Sequence, residues 1–146
     1  MNSMIFVNLP VSDLPRSKRF FTALGYGFDP KFTNDDAACM VISEGSIYAM
    51  LLTRGFFQQF TPREIADASK TTEVLTCLSA PSRAAVNELV DKALAAGGTE
   101  PRPPQDHGFM FGRSFADPDG HIWEIMWMDP KQTEAGCPEA TANATA

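Results

Sequence analysis

The sequence predicts an α+β protein in which two βαβββ modules form an incomplete barrel around a central cavity. Strand-like and helix-like segments follow one another in the same order twice, at roughly 60 residues per unit. Each half contains one long amphipathic helix, and one helix covers only one face of a four-stranded sheet. Because the uncovered faces of both twisted sheets need a partner, we expect them to enclose a small-molecule pocket. The alternative is a concavity filled by side chains.

The first module is predicted at about residues 4–53. An apolar, β-branched run at residues 4–11 indicates a strand that ends near Pro10. Ser12 or Asp13 then caps a helix that tolerates a proline in its first turn and ends at a glycine. Three short strands follow, separated by turn-rich segments, at residues 26–32, 38–43 and 46–53.

A joining segment at about residues 54–71 separates the modules and carries Phe56, Phe57 and Phe60. These aromatic side chains can form a lid or wall over an apolar ligand, since loops on a rigid scaffold often carry binding groups. Alternatively, they pack a short helix at residues 62–68 against the sheet or against a second subunit. The first interpretation makes Phe56 and Phe57 candidate ligand-binding residues.

The second module is predicted at about residues 72–129 and repeats the order of the first. A strand at residues 73–79 leads to a helix that is capped by Ser82 and ended by a glycine pair. The proline-rich segment 99–106 suits only an edge or irregular strand, because proline lacks the backbone donor. A hairpin closes the module, with strands at residues 109–115 and 121–128 around Asp117-Pro118-Asp119-Gly120.

Both modules are expected to share a single domain over residues 1–130. The remaining residues, 131–146, are rich in Thr, Ala and Glu and show no apolar periodicity. Burial in such a segment cannot repay the entropy lost on ordering it. We therefore predict a disordered tail.

Composition and charge exclude several classes of partner. With 146 residues and a net charge of −6, the chain has no basic patch that could neutralise a phosphate backbone, so nucleic acid is not expected as a partner. No apolar run approaches the length of a transmembrane helix, and the first residues do not resemble a signal peptide. We expect a cytoplasmic protein with no membrane partner.

The three cysteines, Cys39, Cys77 and Cys137, are an odd number and show no Cys-x-x-Cys spacing. This pattern suggests neither a disulfide framework nor a zinc knuckle. Cys39 and Cys77 lie in apolar, strand-like runs. We interpret them as thiols of the core or of the pocket.

Two signatures at opposite ends of the chain point to a known family. The opening one is Val11-Ser12-Asp13-Leu14 with Ser17, Phe20-Phe21 and Leu24-Gly25, and the closing one is Phe-Ala-Asp-Pro-Asp-Gly-His-Ile-Trp-Glu at residues 115–124. A lone Asp-Pro-Asp-Gly is only a turn, but the two signatures together carry more information. Over about residues 4–129 the chain resembles the vicinal oxygen chelate superfamily of glyoxalases, bleomycin-resistance proteins and extradiol dioxygenases. The resemblance implies a glyoxalase-like fold.

Metal-dependent members of this superfamily bind one divalent ion with four side chains, from the first and last strands of each module. The resemblance places these positions at Phe6, Leu51, Leu75 and Glu124. Only Glu124 offers a ligand, whereas a catalytic zinc, nickel or iron site needs about three from the protein. Moving the third position to Glu73 or Cys77 gives two ligands at most. We predict that the family metal centre is not intact and expect no cofactor; a divalent metal held in another way is the alternative.

Glu124 is the candidate catalytic residue, and alternation along the last strand places it on the cavity face. A carboxylate among apolar neighbours needs a cationic partner or a raised pKa, and Arg113 is the candidate partner. Three interpretations stay open. Glu124 removes a proton from a bound molecule, as the resemblance to glyoxalase-type enzymes implies; it binds a cationic or hydrogen-bonding ligand together with Asn8; or it forms a structural ion pair with Arg113.

Two functional classes follow from the resemblance. A protein similar to the bleomycin-resistance branch would bind a small-molecule ligand without turning it over, whereas one similar to lactoylglutathione lyase or a dioxygenase would convert a small oxygenated metabolite, with Glu124 as base or metal ligand. We predict the first. The candidate ligand-binding residues are Phe6, Asn8, Leu51, Phe56, Phe57, Leu75, Cys77 and Arg113. Exposed strand edges and the resemblance also lead us to expect a homodimer.

Overall fold

The computed structural model describes residues 2–134, which divide into two compact units. The first unit runs to Glu73 and also includes the turn Asp117–His121, and the second contains Val74–Ala116 and the chain from Ile122 onward. Each unit contains one four-stranded sheet, and the element order in each is βαβββ. The predicted α+β class with two βαβββ modules is therefore confirmed.

The first sheet has the strand order β1-β4-β3-β2, in which β1 and β4 are parallel and the other pairs are antiparallel. Its elements are β1 (Ile5–Val11), α1 (Leu14–Leu24), β2 (Gly27–Asp29), β3 (Ala37–Ser43) and β4 (Ile47–Thr53). Strand β2 is shorter than predicted because Pro30, which has no backbone N–H, starts a 3-10 turn at Pro30–Phe32.

Local signals in the sequence explain both ends of α1. The Asp13 carboxylate, rather than Ser12, accepts a hydrogen bond from the Arg16 backbone N–H at 3.0 Å and caps the first turn. Gly25 ends the helix in the left-handed conformation, with φ of 107°. The buried side of the helix is formed by Leu14, Ser17, Phe20, Phe21 and Leu24. This side supplies the apolar cover for one face of the first sheet.

The joining segment holds a helix at a different place from the one predicted. The helix α2 (Arg54–Phe57) starts directly after β4, because the Thr53 hydroxyl accepts a hydrogen bond from the Phe56 backbone N–H at 3.4 Å. A 3-10 turn over Gln58–Phe60 follows, and the rings of Phe56 and Phe60 meet edge to face at 5.2 Å. The predicted helix at residues 62–68 is wrong, since that stretch is irregular. Helix α2 itself contacts β1 and β4.

The second sheet has the strand order β5-β8-β7-β6, with β5 and β8 parallel. Its elements are β5 (Leu75–Ser79), α3 (Arg83–Ala95), β6 (Gln105–Asp106), β7 (Met110–Ala116) and β8 (Ile122–Met128). The Ser82 hydroxyl caps α3 by accepting from the Ala85 backbone N–H at 3.0 Å, as predicted. The proline-rich segment contributes only the two-residue edge strand β6, which agrees with the loss of backbone donors at proline.

The chain ends, as far as the structure describes it, in the short helix α4 (Pro130–Glu134). The tail predicted to start at residue 131 begins inside this helix, and its remainder, residues 135–146 with Cys137, lies outside the described residues. Within residues 2–134, no helix is both long and apolar enough to cross a membrane.

A single carboxylate joins the turn Asp117–His121 to the start of α1. Asp119 Oδ1 accepts hydrogen bonds from the backbone N–H and the hydroxyl of Ser12, both at 2.8 Å. Its Oδ2 accepts from the Ser17 hydroxyl at 3.3 Å, and Arg16 Nη2 lies 3.5 Å from Oδ1. The two signatures that carry the family resemblance thus form one hydrogen-bond network.

Replacing Asp119 with alanine should lower the free energy of unfolding by about 2–3 kcal/mol, because the buried Ser17 hydroxyl and the Ser12 N–H lose their acceptor. Urea denaturation measures the change. The matched control is Asp35→Ala, since Asp35 is exposed and its change should stay within about 0.5 kcal/mol. Equal destabilisation by the two substitutions would show that the network does not stabilise the fold.

Arg113 on β7 is held by three side chains and is only 10% exposed. Its Nε donates to Glu100 Oε2 at 3.0 Å, and its Nη1 donates to Asn87 Oδ1 at 3.0 Å and to Asp91 Oδ1 at 2.9 Å. The bonds to Glu100 are the main reason that the pKa of Arg113 is raised. Since Asn87 and Asp91 belong to α3, Arg113 lies on the helix-covered face of the second sheet.

The predicted pairing of Arg113 with Glu124 is therefore wrong. Strand register pairs Arg113 with Ile125 and Ser114 with Glu124, so the arginine and the glutamate point to opposite faces of the sheet.

Replacing Arg113 with methionine should destabilise the protein by about 3 kcal/mol, because two carboxylates and one amide lose their partly buried cation. Arg102→Met is the matched control, since the side chain of Arg102 is 58% exposed and forms a single ion pair; its effect should stay below about 1 kcal/mol. Thermal and urea unfolding measure both variants. A variant at Arg113 that is as stable as the one at Arg102 would contradict this account.

Candidate functional site

The candidate site lies on the face of the second sheet that α3 does not cover. We call it the Glu124 face, and it is formed by alternate residues of three strands: Leu75, Cys77, Ser79, Ser114, Ile122, Glu124 and Met126. Register pairs Leu75 with Ile122 and Cys77 with Glu124. Three of the residues predicted to bind a ligand or take part in catalysis, Leu75, Cys77 and Glu124, thus lie side by side.

Glu124 has a cationic partner, but a different one from that predicted. Arg102 Nη2 donates to Glu124 Oε2 at 3.0 Å. The side chain of Glu124 is 25% exposed and that of Arg102 is 58% exposed, so water reaches the pair. An exposed ion pair of this kind contributes little stability. The arrangement leaves the carboxylate compensated in charge and still accessible.

Cys77 lies beside Glu124 on the neighbouring strand and is exposed as a residue. Desolvation of its thiol raises the pKa, and the nearby Glu124 carboxylate raises it further. A raised pKa keeps the sulfur protonated at neutral pH, and the thiol is a far weaker nucleophile than the thiolate. Cys77 is therefore suited to contact a ligand and poorly suited to attack one.

Ser114 flanks Glu124 on the other side, in register on β7. The residue is only 2% exposed, and its Oγ has no hydrogen-bond partner within the described part of the chain. An unpaired buried hydroxyl costs about 1–3 kcal/mol, so a water or a ligand atom bound there would relieve that cost. The hydroxyl adds an uncommitted donor and acceptor next to the carboxylate.

Phe6 and Asn8 of β1 share one face of the first sheet and are both exposed, although Leu52 of β4 on the same face is buried. Register pairs Phe6 with Tyr48 and Asn8 with Met50. The rings of Phe6 and Tyr48 stack with centroids 4.8 Å apart and planes 8° apart, and Phe6 remains 45% exposed. Tyr48 is buried, so Phe6 is the exposed ring of the pair and offers an aromatic face to a ligand.

Leu51 does not belong to this surface. It is in register with Leu9, is fully buried, and points to the face opposite Phe6. The register therefore does not place Leu51 on the face of Phe6, where its predicted role in ligand binding would require it. A shift of one residue along a strand exchanges the two faces, and Met50 and Leu52 occupy the side that carries Phe6.

The donor chemistry of these positions does not fit a divalent metal ion. The first sheet offers a phenyl ring at Phe6 and a thioether or alkyl group at Met50 or Leu52, and the second offers Glu124 with the Cys77 thiol. A catalytic site needs about three ligands with nitrogen, thiolate or carboxylate donors. Over residues 2–134, no cluster of three or more His, Cys, Asp or Glu side chains could hold a metal ion.

Two residues close to Glu124, Arg102 and Ser114, were not among the residues predicted from the sequence. Arg102 lies in the proline-rich segment between α3 and β6, and its position depends on the path of that irregular stretch. Ser114 could have been found by aligning the hairpin strands on either side of the turn, which gives its register with Glu124. The remaining predicted residues, Phe56 and Phe57, are both partly exposed in α2.

Solved structures resemble the fold closely. A hypothetical protein from S. aureus is 28% identical, with a TM-score of 0.71, and the match covers 87% of this chain and 94% of that one. A family enzyme from Burkholderia phytofirmans is 17% identical, with a TM-score of 0.71 and coverage of 86% and 98%. The fosfomycin resistance protein of Mesorhizobium loti is 13% identical, with a TM-score of 0.66 and coverage of 92% and 98%. The last two likenesses concern the fold alone.

Family membership follows from the sequence itself. No protein of curated function matches the chain. The profile of one superfamily matches residues 4–125, which include both signatures and all eight strands up to the middle of β8. The match therefore extends over both βαβββ modules. The chain belongs to the Glyoxalase/Bleomycin resistance protein/Dioxygenase superfamily.

Proposed function

We propose that this protein binds a small polar molecule on the Glu124 face without a metal ion and without turnover, as a ligand-binding or resistance-type member of its superfamily. The observation that carries the proposal is the juxtaposition of an accessible carboxylate, Glu124, with the unpaired buried hydroxyl of Ser114. The carboxylate accepts hydrogen bonds from a ligand directly, and the buried hydroxyl joins once a shift of neighbouring side chains uncovers it. Neither needs a cofactor to do so.

The chemistry of the Glu124 face favours a ligand with a cationic or hydrogen-bond-donating group. Glu124 accepts hydrogen bonds, and the ligand would replace or share the Arg102 contact of 3.0 Å. Leu75, which is 52% exposed, supplies apolar area on the adjacent strand. Cys77, on the same strand as Leu75 and in register with Glu124, contributes a protonated thiol. These groups bind through polarity and shape and do not require bond breaking.

The exposed side chains of Phe6 and Asn8 on the first sheet support a small-molecule function independently. We propose that Phe6 and Asn8, together with Phe56 and Phe57 of α2, take part in ligand binding, since stacked aromatic surface and an amide suit a planar ligand. The location in the cytoplasm and the homodimer stay predictions from composition, strand edges and resemblance.

An enzymatic role with Glu124 as general base is the competing possibility. A base of this kind must take a proton from the substrate in the reactive complex. In this structure the Glu124 carboxylate is already paired with Arg102, so the ion pair would have to open before proton transfer. A ligand that donates a hydrogen bond can share this contact, whereas proton transfer needs the carboxylate released from it, and this difference favours binding over catalysis.

The test is a thermal-shift screen of small metabolites and antibiotics, run on protein purified without chelator and repeated in EDTA. Binding should raise the melting temperature in both conditions, because the stabilisation depends on free ligand and not on metal. For a ligand identified in this way, Glu124→Gln should weaken binding by about tenfold, as expected for loss of one charged hydrogen bond. Calorimetric titration measures the affinity.

Glu88→Gln is the matched control, because Glu88 is an exposed glutamate of α3 that pairs with Lys92. It should leave the affinity unchanged. Stoichiometric zinc, nickel or iron in the purified protein, with binding lost in EDTA, would overturn the metal-free proposal. Product formation that disappears in Glu124→Gln would instead establish the enzymatic alternative.

A further inference from the structure

The first unit contains a polar cavity that is separate from the Glu124 face. Its volume is about 350 Å³, within the range of small-molecule sites. The lining residues come from the end of β1, the joining segment and the turn Asp117–His121: Pro10, Ser12, Arg54, Ala66, Asp67, Ala68, Asp119 and His121. Five of the eight side chains are polar, so the cavity suits a polar ligand.

Close backbone contact holds two walls of this cavity in place. Gly120 has φ of 95°, and a Cβ at this position would lie 2.7 Å from the Ala68 carbonyl oxygen. Only glycine lets the turn approach so closely. In the joining segment, Asp67 stabilises its own turn by accepting hydrogen bonds from the Ser69 backbone N–H at 3.0 Å and from the Ser69 hydroxyl at 2.6 Å. The cavity is thus formed by ordered backbone.

The carboxylate of Asp119 is already committed to the protein. It accepts hydrogen bonds from Ser12 and Ser17, and Arg16 balances its charge. A ligand would therefore find little free capacity at Asp119. The ligand chemistry must come from the other three polar groups, those of His121, Arg54 and Asp67.

One ring nitrogen of His121 is assigned by its contact. Nε2 lies 2.7 Å from the Pro10 carbonyl oxygen, and since a carbonyl only accepts, Nε2 must carry the hydrogen. In the neutral ring Nδ1 is then the acceptor. The hydrogen bonds of the described residues leave Nδ1 without a protein donor. His121 thus offers the cavity one acceptor.

Arg54 and Asp67 supply opposite charges. The only hydrogen bond of the Arg54 guanidinium within the described chain is a long one, 3.5 Å from Nη2 to the Ile65 carbonyl oxygen, so most of its five N–H donors are uncommitted. Hydrogen bonds from Ser69 lower the pKa of Asp67, with Arg54 and Lys70 contributing in the same direction, which keeps the carboxylate ionised. With Asp119 balanced by Arg16, the cavity is neutral overall but carries separated charges.

We propose that this cavity binds a small zwitterion of the α-amino acid class. The ligand carboxylate pairs with the planar donor group of Arg54, and the ligand ammonium group donates to Asp67 and to Nδ1 of His121. Pro10, Ala66 and Ala68 provide small apolar walls for a side chain. A ligand with only a negative charge would be repelled by the carboxylate of Asp67, and a ligand with only a positive charge would be repelled by Arg54. A molecule with both charges satisfies both groups.

The experiment titrates the full chain, labelled with ¹⁵N, with L-leucine, isocaproate and isoamylamine, and follows the backbone amides by NMR. Isocaproate keeps the carboxylate and lacks the ammonium group, and isoamylamine does the reverse. L-Leucine at millimolar concentration should shift the amides of Ser12, Asp67, Ala68 and His121, and the two analogues should bind about tenfold more weakly. Isocaproate binding as tightly as L-leucine, or L-leucine shifts confined to other residues, would overturn the proposal.

Variants test the charges separately. Arg54→Gln should weaken L-leucine by about tenfold, while Arg63→Gln, an exposed arginine of the same segment outside the cavity, should not. Asp67→Asn keeps an acceptor for Ser69 and should weaken L-leucine but not isocaproate. The amide spectrum of each variant shows whether it is folded.

Unchanged L-leucine affinity in both folded cavity variants, Arg54→Gln and Asp67→Asn, would reject the site. Glu124→Gln should leave L-leucine binding at this cavity unchanged, because Glu124 does not line it. A failure of the amino-acid proposal can therefore be distinguished from a failure of the proposed function at the Glu124 face.

Discussion

Each unit has one long helix but a sheet with two faces, so the helix can cover only one of those faces. The long helices α1 and α3 each bury one face of a four-stranded sheet, and the period of two along a strand assigns every second side chain to the opposite face. This alternation separates residues that are adjacent in sequence. It sends Arg113 to α3 and Ser114 to the Glu124 face, and it removes Leu51 from the surface that carries Phe6.

The two sequence signatures of the family have an architectural task in this chain. Asp119, in the closing signature, accepts hydrogen bonds from Ser12 and Ser17 of the opening one, and Gly120 lets the turn lie against the backbone of Ala68. These contacts place the turn Asp117–His121 in the first unit, although both flanking strands belong to the second. The residues that identify the family are therefore mainly those that maintain the fold, and they say little about the ligand.

Charge compensation governs the chemistry of the Glu124 face. Arg102 balances the glutamate, a raised pKa keeps Cys77 protonated, and the Ser114 hydroxyl stays unpaired within the described chain. None of these groups is an activated nucleophile, and the donor set is too small for a catalytic metal. A family scaffold with such a face is suited to selective binding. The polar cavity of the first unit likewise contains charges of both signs, at Arg54 and Asp67.

Properties that depend on neighbours along the chain could be predicted from the sequence: the βαβββ order, the helix caps at Asp13 and Ser82 and the edge position of the proline-rich segment. Helix capping and strand alternation act within a few residues, so the local sequence is enough for them. The pairing of Arg102 rather than Arg113 with Glu124, and the cavity that the Asp119 turn forms with Arg54 and Asp67, could not be predicted in this way. Those contacts depend on register between strands and on the paths of irregular segments, which distant parts of the chain set together.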